Sequence, residues 1–179
     1  MDINKIVQLR LFKEDLKIGN IDTDYWFNQI SINHLHTHIP NLNKVIQYHH
    51  EDIGDWDAIP TIDIIKERLE FGSHCNLWMY RDTILGWHWT HNKYITEDWK
   101  SPYQKLKHNE IYIGGAFISR KHKPSPLSSY KFYTQGFKFS LEVEGKDTMY
   151  LYSDNWNRAS AQLCYKSGFT NYNFLNETN

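Results

Sequence analysis

Cysteine is nearly absent. Cys75 and Cys164 are the two in 179 residues, too few for a disulfide framework and spaced for no zinc site. Long apolar runs are missing as well. The opening MDINKIVQLRLFKEDL is charged throughout, so it reads as no signal peptide, and no stretch approaches the length of a membrane span. A soluble, reducing, cytoplasmic setting is the expectation, with no membrane partner. The Pro/Ser linkers, internal repeats and low-complexity tracts that would divide the chain are also lacking, so residues 1–179 read as one domain with a real core. Net charge is close to nil at −1, and bulk electrostatics does not ask for nucleic acid.

What charge there is lies unevenly. Seven acids fall between Glu51 and Glu70 against Lys66 and Arg68, and eight bases between Lys100 and Lys138 against Glu110. Solvated faces account for both runs. The functional alternative is a basic mouth for a polyanionic cofactor and an acidic rim for an amine. Aromatic residues are plentiful, with seven Trp and twelve Tyr, which suits both a core and stacking surfaces.

Periodicity gives an element order. Ile6–Phe12 alternates as a strand. Asp22 or Thr23 can cap a helix running through Tyr25, Trp26, Ile30, Ile32 and Leu35. Residues 36–60 read as irregular, with a short helix near Val45. Thr61 and Asp63 open a helix carrying Ile62, Ile65 and Leu69 and stopping at Gly72. Cys75–Tyr80 and Ile84–Thr90 form a hairpin around Arg81-Asp82-Thr83. A polar connection with a short helix spans 92–109. Ile111–Ile118 is the most strand-like run, and Gly114-Gly115 within it signals a bulge or a close backbone approach. A helix over Pro126–Val143, a strand over Thr148–Tyr152, a helix over Arg158–Lys166 and a strand over Phe169–Leu175 complete the order. By itself this order supports a mixed α/β fold.

The segment Asn157-Arg-Ala-Ser160-Ala-Gln-Leu163-Cys164-Tyr165-Lys-Ser-Gly168-Phe169 is more specific. Placed after the apolar run Met149–Tyr152, it resembles the closing motif of the GCN5-related N-acetyltransferase (GNAT) superfamily, Asn-x-x-Ala/Ser-x-x-Leu-Tyr-x-x-x-Gly-Phe. The resemblance extends over the element order of essentially the whole chain. It implies an α/β GNAT fold, a mixed and mostly antiparallel central sheet flanked by helices and split by a V at the cofactor. It implies acetyl-CoA as cofactor and direct N-acetyl transfer to an amine. It also implies that pantetheine pairs with exposed backbone near Phe117 and Ile118 on one strand and Tyr152–Asp154 on the other, with Asn157 as a coenzyme A neighbour and a bulge in the first of those strands.

In that family the pyrophosphate lies in a loop at a helix start, where free N–H groups and the helix dipole favour an anion. The corresponding loop here is Ser119-Arg-Lys-His-Lys-Pro-Ser-Pro-Leu-Ser-Ser129, with Ser125 as N-cap and Pro126 at the first helical position. It departs from the family's Arg/Gln-x-x-Gly-x-Gly/Ala. One register puts Lys121 first with Pro124 and Pro126 at the glycine positions, the other Lys123 first with Pro126 and Ser128. Proline removes a donor. The remaining N–H groups of Ser125, Leu127, Ser128 and Ser129, their three hydroxyls, and the charges of Lys121 and Lys123 are the expected substitutes.

Transfer to an amine needs a proton acceptor, an oxyanion donor and a partner for the leaving thiolate. Glu110, which resembles the glutamate opening the matching strand in histone-type members, is the expected base. His88 and His91 follow the hairpin strand, and alternation puts His88 on the face opposite Trp87 and Trp89. His88 and Asp154 are expected at the acceptor. The family's usual Tyr after Leu is replaced by Cys164, with Tyr165 one place later, roughly 100° around the helix. Cys164 is either a weak acid or a small buried hydrophobe, and both it and Tyr165 stand as candidates for the acid. His34, His36, His38, His49 and His50 lack companion ligands at zinc spacing, so no metal is expected. The acceptor is expected to be an amine of a small molecule or amino sugar. A protein amine, a nucleic-acid base amine and a non-catalytic binding module remain as alternatives, as do monomer and homodimer.

Overall fold

The computed structural model describes residues 6–19, 23–53, 61–96, 102–119, 126–154 and 158–172. Its elements in chain order are β1 (Ile6–Phe12), β2 (Tyr25–Ile30), α1 (Leu35–Ile53), α2 (Ile62–Glu70), β3 (His74–Tyr80), β4 (Thr83–His91), β5 (Tyr94–Thr96), β6 (Pro102–Lys105), β7 (Glu110–Ile118), α3 (Pro126–Val143), β8 (Thr148–Asp154), α4 (Arg158–Lys166) and β9 (Thr170–Asn171). Seven strands form one sheet in the order β2-β3-β4-β7-β8-β1-β9. Neighbours run antiparallel except β7 and β8, which are parallel. β5 and β6 form a separate two-stranded ribbon. This is the mixed, mostly antiparallel α/β architecture expected from the sequence. Among the described residues no helix is long and apolar enough to cross a membrane.

Two expectations fail between residues 23 and 53. Tyr25–Ile30 is a strand, not a helix. Its aromatic residues alternate: Phe27 packs on Trp78, Phe132 and Phe139, while Trp26 stays exposed. Pairing with β3 decides the matter, because a neighbouring strand supplies the partners that local propensity cannot weigh. The stretch after it, expected to be irregular, is the nineteen-residue α1. Leu35, Ile39, Leu42, Val45 and Ile46 make one helical stripe against the sheet. In the 92–109 connection, the described residues form β5 and β6 where a short helix was expected. The last strand is the two-residue β9, with 173–175 outside the described residues.

The two faces of the sheet carry different cores. α1 and α2 cover one face, where Ile65 and Leu69 meet Cys75, Leu77, Met79, Trp87 and Trp89. α3 and α4 cover the other. There Phe132 packs with Trp78 and Leu85, and Phe137, Leu141 and Cys164 pack with Leu9, Leu11, Ile111, Ile113 and Met149.

His88 lies on the α3 face, and this corrects its expected role at the acceptor. Trp78 Nε1 can only donate, so its bond to His88 Nδ1 fixes the proton on the other ring nitrogen. His88 Nε2–H then donates to Ser140 Oγ at 2.5 Å, and Ser140 donates to the Gly136 carbonyl at 2.9 Å. Every polar atom of this imidazole is therefore used to fasten α3 to β3 and β4. Nearby, Glu144 closes the end of α3. Its Oε1 accepts from Gln29 Nε2 at 2.6 Å and from Thr90 Oγ1 at 3.4 Å, and it meets His74 Nδ1. Burial alone would raise the Glu144 carboxyl, but the bonds from His74, Gln29 and Thr90 bring it below its ordinary value.

Replacing His88 by Leu keeps the volume but strands the Trp78 N–H. The expected loss is about 1–3 kcal/mol, the cost of an unsatisfied buried donor, read as a lower urea midpoint with an unchanged m-value.

Candidate functional site

The parallel ladder between β7 and β8 is short. It pairs Glu110 with Thr148, Ile111 with Met149, Tyr112 with Tyr150 and Ile113 with Leu151. Beyond these residues β7 continues to Ile118 paired to β4, and β8 continues to Asp154 paired to β1. The strands diverge, leaving a V in the middle of the sheet.

The divergence begins at Gly114-Gly115, where the β4–β7 register shifts: Thr90 faces Ile113, but His88 faces Ala116. This bulge was legible from the two glycines. Gly115 has φ +116, a left-handed conformation that favours glycine. Gly114 has a different reason. A Cβ there would stand 2.5 Å from His91 Nε2, so the imidazole occupies the space that a side chain would fill. Gly115 and Ala116 are exposed although their strand is interior to the sheet. The Phe117 ring lies tilted against that of Trp87, 4.5 Å between centroids, on the α1/α2 side, while Ile118 joins the Trp78 and Phe132 cluster on the other. The V fits an extended, amide-bearing arm, since among the described residues the strand backbone on both sides lacks a strand neighbour there. A Cβ on Gly115 would meet no atom within 4 Å, so the side above it is open.

On the α1/α2 side of the bulge lies a polar cluster. His91 Nδ1 meets Ser73 Oγ at 3.3 Å, and its ring lies 5.8 Å from that of Tyr112. Tyr112 in turn meets Tyr152 edge-on at 5.6 Å, across the start of the V. His91 Nε2 is buried without a hydrogen-bond partner among the described residues. Burial, with Arg68 and His74 nearby, lowers the His91 pKa to about 4, so the ring is neutral at neutral pH. Arg68 reaches in from α2, donating from Nη2 to the Gly114 carbonyl at 3.1 Å while its guanidinium lies 4.2 Å over the Trp89 ring.

The remaining expected residues are distributed as follows. Glu110 stands at the foot of β7, four residues from Gly114, roughly 13 Å along a strand. Its carboxylate accepts from the Lys107 N–H at 2.7 Å and the Tyr150 hydroxyl at 3.0 Å. It is buried and does not reach the bulge directly. Cys164 is in the core under β1, β7 and β8, and burial pushes its thiol up to about 12. Tyr165 is turned outward and donates to Asn171 Oδ1 on β9 at 2.5 Å, two strands beyond β8. Neither α4 residue is brought to the V, because the helix sets Cys164 on the sheet and the next residue over its rim. The backbones of Leu127, Ser128 and Ser129 open α3 after Pro126, and Asp154 ends β8. Their side chains, and Lys121, Lys123, Ser125 and Asn157 entirely, lie outside the described residues. Sequence reasoning missed Arg68. Beside the Ile65/Leu69 stripe, a basic residue looks like part of a solvated face, and no local signal marks it. His91 shared its evidence with His88, and only the sheet faces separate them.

No family model matches the sequence, and no curated protein matches it. Solved structures do match in shape. A tandem GNAT protein from the clavulanic acid biosynthesis pathway superposes with a TM-score of 0.57 at 10% identity, covering 96% of this chain and 51% of that one. A GCN5-related N-acetyltransferase from Kribbella flavida gives 0.51 at 10%, covering 94% and 55%. An aminoglycoside acetyltransferase from an uncultured soil metagenomic sample, in complex with trehalose, gives 0.51 at 14%, covering 83% and 90%. The chain spans about half the length of the first two. At such identities the likeness is one of fold, and the fold is that of the GNAT acetyltransferases.

Two buried neutral histidines make stability depend on pH. His88 and His91 have folded values of about 3 and about 4 against an ordinary 6.5. The unfolded chain binds these protons first, so stability is full above the ordinary value and declines as pH falls through it toward the folded values. Denaturant midpoints at about pH 7.5 and about pH 5 should differ accordingly, and a His91→Gln chain should show a smaller difference. Gly115→Val should lower stability by about 1–3 kcal/mol through strain at its positive φ, again read as a denaturant midpoint.

Proposed function

We propose that this GNAT-fold chain is an acyl-CoA-dependent N-acyltransferase, moving an acetyl group directly to an amine of a small molecule or amino sugar. The observation that carries the reading is the V between β7 and β8, opened by the Gly114-Gly115 bulge. Bound acetyl-CoA supplies the activated acyl carbon. In this reading the edges of Gly115–Ile118 and Tyr152–Asp154 hold its pantetheine arm, and Lys121, Lys123, Ser125 and the N–H groups of Leu127, Ser128 and Ser129 hold its pyrophosphate, with Asn157 beside them. The acetyl end then lies at the bulge, facing His91, Tyr112 and Arg68.

An ammonium acceptor must lose a proton before it attacks. Glu110 is spent on Lys107 and Tyr150, so the role passes to His91. Its Nε2 lies over Gly114, and because burial and Arg68 lower its pKa to about 4, it is a weak base that passes the proton on to solvent rather than holding it. Ser73 at Nδ1 orients the ring. The aminoglycoside acetyltransferase neighbour fits a small amine acceptor in kind.

One observation favours a second reading, a binding module that keeps coenzyme A without turnover. Cys164 is in the core and Tyr165 faces β9, so among the described residues α4 offers no group to protonate a leaving thiolate. Calorimetric titration with acetyl-CoA and coenzyme A, followed by a thiol-release assay over a broad amine panel, separates the two.

The acyltransferase reading expects micromolar binding that weakens in a Lys121→Ala/Lys123→Ala chain, with thiol release for at least one amine. Replacing His91 by Ala should lower kcat by about 10²–10⁴ with little change in acetyl-CoA affinity. Binding without turnover on the whole panel would leave the module. No binding by a folded chain would discard both.

A further inference from the structure

Among the described residues Arg68 is a cation without an anion. Its guanidinium lies at the bulge, held by the Gly114 carbonyl on one side and the Trp89 ring beneath. Its Nε is buried and has no hydrogen-bond partner among the described residues. Burial lowers its pKa to about 10, which still leaves it charged at neutral pH. The groups facing it are the Cys75 thiol, the Tyr112 hydroxyl, the His91 imidazole and the Gly114 carbonyl. None is a carboxylate. Among the described residues the ion pairs are Lys66–Glu70, His74–Glu144, Arg81–Asp24 and Lys138–Glu142, and Arg68 joins none of them.

A charge taken partly out of water gains from a paired anion, and this half-buried one is also pre-oriented. Stacking on Trp89 and the bond to Gly114 fix the plane of the guanidinium, leaving its fork as a preset receptor for a planar anion. Its position matters as much as its charge. The contact to Gly114 puts it one residue from the exposed Gly115, on the side where His91 Nε2 is also without a partner. A ligand bearing an anion a few bonds from an amine would set the anion on Arg68 and the amine beside His91.

We propose that the acceptor carries a carboxylate close to its amine, as an amino acid does, and that Arg68 binds that carboxylate. The assignment rests on the acyltransferase reading for its chemistry and narrows the acceptor class within it. Arg68 binds and orients; proton removal stays with His91.

The test uses the full chain with acetyl-CoA in the thiol-release assay. L-amino acids are compared with the carboxylate-free amines that share their side chains. The wild-type chain should favour the amino acids in kcat/KM by about 10- to 100-fold, the worth of a hydrogen-bonded charge contact. Arg68→Met should erase that preference through KM for the amino acid, and Arg68→Lys should restore part of it. Equal or better use of carboxylate-free amines by the wild-type chain overturns the proposal without any variant. An equal loss on both acceptor classes in a folded Arg68→Met chain also overturns it. Should no amine release thiol, titration of the coenzyme A complex with N-acetylglycine and with N-methylacetamide decides. Binding of the carboxylate alone, lost in Arg68→Met, sustains the Arg68 site and removes the acyltransferase reading. Binding of neither, or of both alike, overturns the site.

Discussion

The ladder between β7 and β8 stops after four pairs, and most of the chain's functional character depends on that stop. Parallel strands joined through a helix normally zip along their whole length. Here Gly114-Gly115 adds a bulge on the β4 side, turns β7 away from β8, and leaves the sheet with two interior edges that no strand among the described residues pairs. The backbone released there is exposed at Gly115 and Ala116, and the Gly114 carbonyl accepts from Arg68, so it is not left buried and unpaired. The rest of the sheet is held firmly on both sides, by β4 against β7 and by β1 against β8.

That firmness comes from the α3 face. The chain of bonds from Trp78 through His88 and Ser140 to the Gly136 carbonyl has a single proton arrangement, and the Glu144 cluster closes the end of the same helix. Each buried polar atom of His88 has a partner, so the face is rigid. The α1/α2 face is built differently. Around Gly114 two polar atoms, on Arg68 and His91, are buried without partners. Where His88 spends both ring nitrogens on one face, the other face carries, among the described residues, an unpaired cation beside an opened strand, and the candidate chemistry lies there. The same asymmetry sorts the two histidines of β4. Three residues apart across the bulge, His88 and His91 point to opposite sides, one into a saturated network and one onto the bulge.

Much of the architecture was legible. Strands β3, β4, β7 and β8 and helices α2, α3 and α4 follow from alternation, caps and helical period, and the mid-strand glycines announced the bulge. The failures have a common cause. Tyr25–Ile30 has enough apolar residues for either period, and its pairing with β3, distant in sequence, settled the choice. α1 was hidden by its polar residues and by Pro40, and becomes helical through a stripe that has meaning only once the sheet is there to receive it. The candidate site followed the same division. Cys164 and Tyr165 fit a motif in one dimension, but the phase of α4 sends one to the core and the other to β9.

By itself the sequence determined β1, β3, β4, β7, β8 and the helices α2 to α4, the place of the bulge, and the closing Leu163–Phe169 segment that ties α4 to the sheet, because these rest on local spacing and on glycine's freedom of backbone. Only the tertiary structure decided which face each side chain serves. Burial and partnership are properties of the packed sheet. They made His88 a fastening, placed His91 over Gly114, spent Glu110 at the foot of its strand, and brought Arg68 from another element to the one point where the sheet opens.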